Sequence, residues 1–272
     1  MSTEADVFNS DAHEKDVWRK YLIDYPIQNI QDGLLRISYQ SRHASELIRI
    51  AEQYHVADYF NGGSDLQKVL SLMNYVHGIA RKSGNNSSPA IKNTDEIMKA
   101  AKLGQLWCSD YATVLSEMLL SMGVKAVTVS CLPCMFDYDH HVGVMAYLCD
   151  LGKWVFLDPT FNTYFYREVP MDIFEIRSSY TQGKMPVFRH IAIKKEWALV
   201  LHGVEYDDYD SWYSDYMMKD TFRFAFPKNS AYGCRTSNPE TVFLLPNGYS
   251  ARNEYDDPMS YYTFDCSCIL LS

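Results

Sequence analysis

The sequence predicts an α+β fold, with helices leading and an antiparallel sheet following. Two observations carry this. From Ser64 to Met122 apolar residues recur at helical spacing, and beyond Gly123 they gather into short runs rich in β-branched residues. The two patterns also come in blocks, and blocks of helices followed by blocks of strands build α+β rather than alternating α/β architecture. A chain of 272 residues can bury one large core or two small ones. It shows no internal repeat and no clear linker. It therefore reads as one domain in three stretches: a helical extension over 1–63, a core over 64–162 and a β-rich part over 163–272.

Residues 1–12 are polar and read as a loose start. Helical patterns cover 14–24 and 43–55. Ser64-Asp65-Leu66-Gln67 then has the Ser-x-x-Gln form of a capping box. It opens a run that places Leu66, Val69, Leu70, Met73, Val76 and Ala80 on one face. A loop follows at 83–90, and Thr94 is expected to cap a short helix ending near Gly104. From Cys108 to Met122, Tyr111, Ala112, Leu115, Met118, Leu119 and Met122 keep helical spacing, with Gly123 placed to end the helix. Val124–Cys131, Val142–Leu148 and Trp154–Leu157 are strands, the last two joined by a tight connection over 149–153. Further strands are expected at 187–194, 197–202, 221–226, 241–245 and 260–270. Val204–Tyr216, rich in acids and aromatics, reads as a solvated loop. The functional alternative is a rim favouring basic or sugar-like substrates.

The net charge of −9 disfavours nucleic acid and anionic membrane surfaces, both of which require a basic face. The first eighteen residues lack the basic start and apolar core of a signal peptide, and no apolar run reaches the roughly 20 residues of a membrane span. Seven cysteines, an odd number scattered through a sizeable chain, fit free thiols in a reducing compartment. A cytoplasmic protein is the expectation. The oligomeric state leaves no mark in the sequence.

Cys108 stands at the predicted start of a helix, where unpaired N–H groups and the positive end of the dipole favour an anion. The same N–H groups can bind an oxyanion formed beside the sulfur. A thiol nucleophile needs a base, and the base an orienting partner. His141 heads one strand and Asp158 ends the next. An antiparallel hairpin brings them to the same end of a sheet, and a register placing 141 opposite 158 or 160 puts both on one face. A register of 141 with 159 puts them on opposite faces. His140 is the competitor of His141, since adjacent strand residues point opposite ways.

The blocks Gln105-Leu-Trp-Cys-Ser-Asp-Tyr-Ala112, His141-Val-Gly-Val-Met-Ala-Tyr147 and Trp154-Val-Phe-Leu-Asp-Pro-Thr160, in this order, resemble the transglutaminase-like superfamily. The resemblance covers residues 64–162. It implies a papain-like α+β core, helices packed on an antiparallel sheet, with Cys108 as nucleophile, His141 as base and Asp158 as its orienting group. The activity it implies is attack on a carboxamide carbonyl through a thioester, resolved by water or by a second amine. Where the superfamily often has Trp and Glu two and four residues after the His, this chain has Gly143 and Met145. Beyond the Cys108 amide, Gln105 and Trp107 are the candidate oxyanion donors.

The function expected is that of a cysteine-dependent hydrolase, a peptidase or amidase acting on a peptide or protein amide, without a cofactor. Alternatives are protein cross-linking and a binding module that keeps the fold without the catalysis. A third is a zinc-stabilised interaction domain, with Cys131 and Cys134 followed by Asp137, Asp139, His140 and His141 as the candidate ligands. Cys266 and Cys268 read as the core and surface of a last strand.

Overall fold

The computed structural model of the chain describes residues 19–20, 22–24, 37–80, 85–133, 140–192, 209–236, 240–246 and 261–262. Residues 19–20 and 22–24 are helical. Helix α1 (Ser45–Gln53) buries Leu47 and Ile50 and leads into a 3-10 turn at Val56–Phe60. Helix α2 (Asp65–His77) begins with the expected capping box: Ser64 Oγ accepts from Gln67 N–H, and Gln67 Oε1 accepts from Ser64 N–H. The reciprocal bonds satisfy two of the donors that a helix start leaves free.

Helix α3 (Thr94–Ala100) differs from expectation in its cap. Asn93 caps it by accepting from Glu96 N–H, while Thr94 donates both its N–H and Oγ1–H to Glu117 Oε2, each at 2.8 Å. A buried carboxylate from another helix takes the threonine away from the capping role. That carboxylate belongs to α4 (Cys108–Ser121), the central helix, buried along nearly its whole length. Gly123, with φ of 79°, ends it in the left-handed conformation that glycine adopts without strain.

The main sheet has eight strands among the described residues. Strands β2 (Ala126–Leu132), β3 (His141–Leu148) and β4 (Lys153–Asp158) form an antiparallel meander at its centre. Strands β5 (Thr163–Tyr166) and β6 (Val187–His190) extend one side, and β7 (Arg223–Pro227) and β9 (Thr241–Leu244) the other, all antiparallel. Strand β10 (Tyr261–Tyr262) pairs parallel to β9, and β1 (Ser38–Tyr39) with β8 (Asn229–Ser230) in a separate two-stranded ladder.

Both faces of the central strands are covered. Helices α1 to α4 pack Leu47, Leu72, Val76, Leu115 and Met118 against Ala126, Val142, Val144 and Leu157. The opposite face, with Val127, Val129, Met145 and Phe156, meets a layer built by α5 (Ile173–Thr181) and α6 (Tyr209–Asp220). Two-sided burial is why β3 reads as a continuous apolar run without alternation.

The C-terminal stretch is thus mixed: besides strands it supplies two helices. The reading of Val204–Tyr216 as a solvated loop is corrected over its described part, because Tyr209, Trp212, Tyr213 and Tyr216 are buried on α6. They fall at the i, i+3, i+4, i+7 spacing of a core-facing helix, a signal masked by the intervening acids. The expected strand at 197–202, the acidic start of the 204–216 segment, and Cys266 and Cys268 lie outside the described residues. Among the described residues no helix is long and apolar enough to cross a membrane.

Candidate active site

Cys108 is the first residue of α4 and is partly exposed at the helix start. Helix α4 starts here because Asp110 Oδ2 accepts from Trp107 N–H at 2.9 Å, while Asp110 Oδ1 pairs with Lys92 Nζ at 2.7 Å. The buried carboxylate anchors the residue preceding the thiol. The Cys108 Sγ lies 3.9 Å from the carbonyl oxygen of His140.

Strand β3 starts at His141. Val144 lies opposite Leu157; His141 is three residues before the one and Asp158 one residue after the other, odd steps that turn both side chains to the face opposite that of Val144 and Leu157. In this register His141 and Asp158 share a face, and His141 Nε2 reaches Asp158 Oδ2 at 2.8 Å. Both side chains are buried, at 1% and 0% exposure. Asp158 is itself held: its Oδ1 accepts from Thr160 N–H and Phe161 N–H, each at 3.1 Å. Helix α2 clamps the turn beyond it, with His77 Nδ1 at 3.1 Å from both the Pro159 and Thr160 carbonyls and Asn74 accepting from the Asn162 amide.

A third donor comes from α6. Tyr213 O–H donates to Asp158 Oδ2 at 2.8 Å, wholly buried. Around the pair stand aromatic rings: Phe161 and Tyr216 lie 5.3 and 5.5 Å from the His141 ring, and Trp212 stacks on Tyr216. This wall keeps water from the carboxylate and strengthens the interactions within it. Burial alone disfavours a charged imidazole. The Asp158 carboxylate against Nε2, with the Cys108 thiol as a further partner, outweighs it and holds the His141 pKa well above 6.5. With Nε2 engaged by Asp158, the thiol is left to Nδ1.

Residues 54–159 match the family model described as the transglutaminase-like superfamily. The match covers less than half of the chain, and it contains Cys108, His141 and Asp158. Two solved structures are similar over part of their length. One is a candidate cysteine protease from Cytophaga hutchinsonii, 14% identical over 49% of this chain and 46% of that one, with a TM-score of 0.32. The other is a candidate protease from Parabacteroides distasonis, 19% identical over 43% of this chain and 23% of that one, with a TM-score of 0.30. This chain thus spans less than half the length of either. No curated protein matches it.

Position 143 is glycine for a packing reason. A Cβ there would stand 2.4 Å from the Phe156 ring, which fills the space a larger residue would take. Met145 is wholly buried on the same face. Trp107 is 56% exposed, and its backbone N–H is spent on Asp110. The Gln105 N–H donates to the Asn85 carbonyl. Cys131, opposite His141 on β2, is packed in the apolar layer, and burial pushes its thiol well above the usual range. Cys134, Asp137 and Asp139 lie outside the described residues. Among the described residues no three His, Cys, Asp or Glu side chains are grouped to hold a metal ion.

Tyr213 was not legible as a site residue, since it lies 55 positions beyond Asp158 and outside the matched segment. His77 and Asn74 were equally hidden, because their role depends on where the turn after Asp158 lands. Arg235 donates to Thr128 Oγ1 at 3.2 Å; burial lowers its pKa, opposed first by Cys234 and then by Cys108 and Asp110.

Proposed function

We propose that the chain is a thiol hydrolase that cleaves an amide bond through a thioester on Cys108. The observation that carries this reading is the buried His141–Asp158 pair at 2.8 Å, with the Cys108 thiol as the imidazole's other partner.

In this reading His141 takes the proton of Cys108, and the resulting imidazolium is held by Asp158. The thiolate attacks the carbonyl carbon, forming the C–S bond while the carbonyl electrons move to oxygen. The Cys108 backbone N–H at the helix start stabilises that oxyanion, and the side chain of Gln105 or the indole N–H of Trp107 serves as second donor. Collapse breaks the C–N bond, and His141 delivers its proton to the leaving nitrogen. Water then enters, His141 takes one of its protons, and hydroxide adds to the thioester carbonyl. The C–S bond breaks, and the proton returns from His141 to the departing sulfur. The products are a carboxylic acid, which ionises on release, and an amine or ammonia. The substrate class is a peptide or protein amide.

The test is alkylation by iodoacetamide, followed at each cysteine by mass spectrometry, in the parent chain and in His141→Ala. Cys149, exposed and free, is the internal standard for an ordinary thiol. Below neutral pH Cys108 should react at least about tenfold faster than Cys149, and lose that advantage without His141. Equal rates at Cys108 and Cys149 would overturn the reading. A panel of amide substrates with Cys108→Ser as control then identifies the bond cleaved.

A further inference from the structure

We propose that Tyr213 is a positioning residue for this site, its hydroxyl holding Asp158 Oδ2 against His141 Nε2 and setting how firmly the pair keeps its proton. The proposal rests on the reading of Cys108 and His141 given above, and it extends the catalytic apparatus to helix α6, which lies outside the segment 54–159.

The geometry supports a specific task. Asp158 has two oxygens: Oδ1 is tied to the Thr160 and Phe161 amides, and Oδ2 is shared between His141 and Tyr213. The amides hold one oxygen, and the Tyr213 O–H restricts rotation of the other, so the lone pair facing His141 keeps its direction. Tyr213 also draws off part of the carboxylate charge that the imidazolium would otherwise receive whole. Burial and the neighbouring Asp158 push the Tyr213 pKa well above 10, so the phenol stays a donor throughout the working range. The helix that delivers it is docked separately: Tyr180 O–H on α5 donates to the Ser214 carbonyl at 3.0 Å, one residue along from Tyr213.

The titratable groups around the pair are Cys108 from α4, Cys131 from β2, His190 from β6, and Tyr209, Tyr213, Tyr216 and Asp220 from α6. Of these, Tyr213 is the one whose hydroxyl can be removed with its ring left in place and a hydrogen bond to Asp158 lost.

The experiment follows the His141 Cε1–H resonance across pH in the whole chain, in the parent, Tyr213→Phe and Tyr180→Phe. Without the Tyr213 hydroxyl Asp158 concentrates its charge on His141, so the midpoint should rise by about half a pH unit or more. Tyr180→Phe loosens the docking of α6 and leaves Asp158 its three donors, so its midpoint should match the parent's. An unchanged or lowered midpoint in Tyr213→Phe overturns the proposal, as does an equal shift in Tyr180→Phe, which would assign the effect to helix docking alone. The underlying reading fails by a different signal, a Cys108 alkylation rate indifferent to His141, whatever Tyr213→Phe does to the midpoint.

Discussion

The Nε2 of His141 and the Oδ2 of Asp158 lie 2.8 Å apart in a buried, aromatic-walled site, although 17 positions separate them along the chain. Two strands and the connection between them fill that interval, so any change in strand register breaks the contact.

Replacing Asp158 by Asn should impair both function and stability. The amide has one acceptor where the carboxylate has two, and its NH2 group must face donors: either the Thr160 and Phe161 amides or His141 and Tyr213. A loss of about 1–3 kcal/mol in urea unfolding is expected. Cys108 alkylation at mildly acidic pH should fall by at least about tenfold, since 1.4 kcal/mol of lost imidazolium stabilisation is a factor of ten.

Gly143→Ala should destabilise the chain by about 1–3 kcal/mol, the range for overpacking a filled core. The new methyl would meet the Phe156 ring at 2.4 Å and the Leu157 carbonyl at 3.1 Å. Pairing with Phe156→Leu should recover part of the loss. A double-mutant cycle on the unfolding midpoints measures it, and additive losses would count against a direct contact.

Glu117 carries a pH signature. Burial first of all, opposed by hydrogen bonds from Thr94 and Gly233, raises its pKa from 4.5 to about 7. Between those values the folded state holds the proton and the unfolded state has lost it, so stability falls as pH rises through this window. The full effect is on the order of 3 kcal/mol. Thermal unfolding of Glu117→Gln should start from a lower midpoint, because one of its acceptors is gone. That midpoint should decline less than the parent's between about pH 4.5 and 7.

Lys92→Met should leave Asp110 as a buried, uncompensated charge at the start of α4. Removing one partner of a buried pair costs about 3–5 kcal/mol, and the lower end applies because the Lys92 side chain is 22% exposed. Denaturant titration checks the loss. Asp110→Asn in the same background should restore part of it, since a neutral amide needs no counter-charge.

Much of the core was legible because its signals are local. The capping box at Ser64 and Gln67 needs no information beyond four consecutive residues, and it forms as written. The helix from Cys108 to Gly123 follows from apolar spacing and a terminal glycine. Local signals mislead where distant groups compete for the same residue. Thr94 looked like a cap until Glu117 claimed it, and the acidic residues between Tyr209 and Tyr216 hid a helical spacing that only a second apolar layer makes useful.

That a cysteine heads a helix, a histidine opens a strand and an aspartate closes the next is written locally along the chain. Those are consequences of period and punctuation, which act over a few residues. Tertiary structure decided the rest: the register that turns His141 and Asp158 to one face, the ring of Phe156 standing where Gly143 leaves space, and the Tyr213 hydroxyl on Asp158. Such contacts join segments far apart in the chain. They are selected by how whole faces pack against one another, and no short stretch of sequence encodes that.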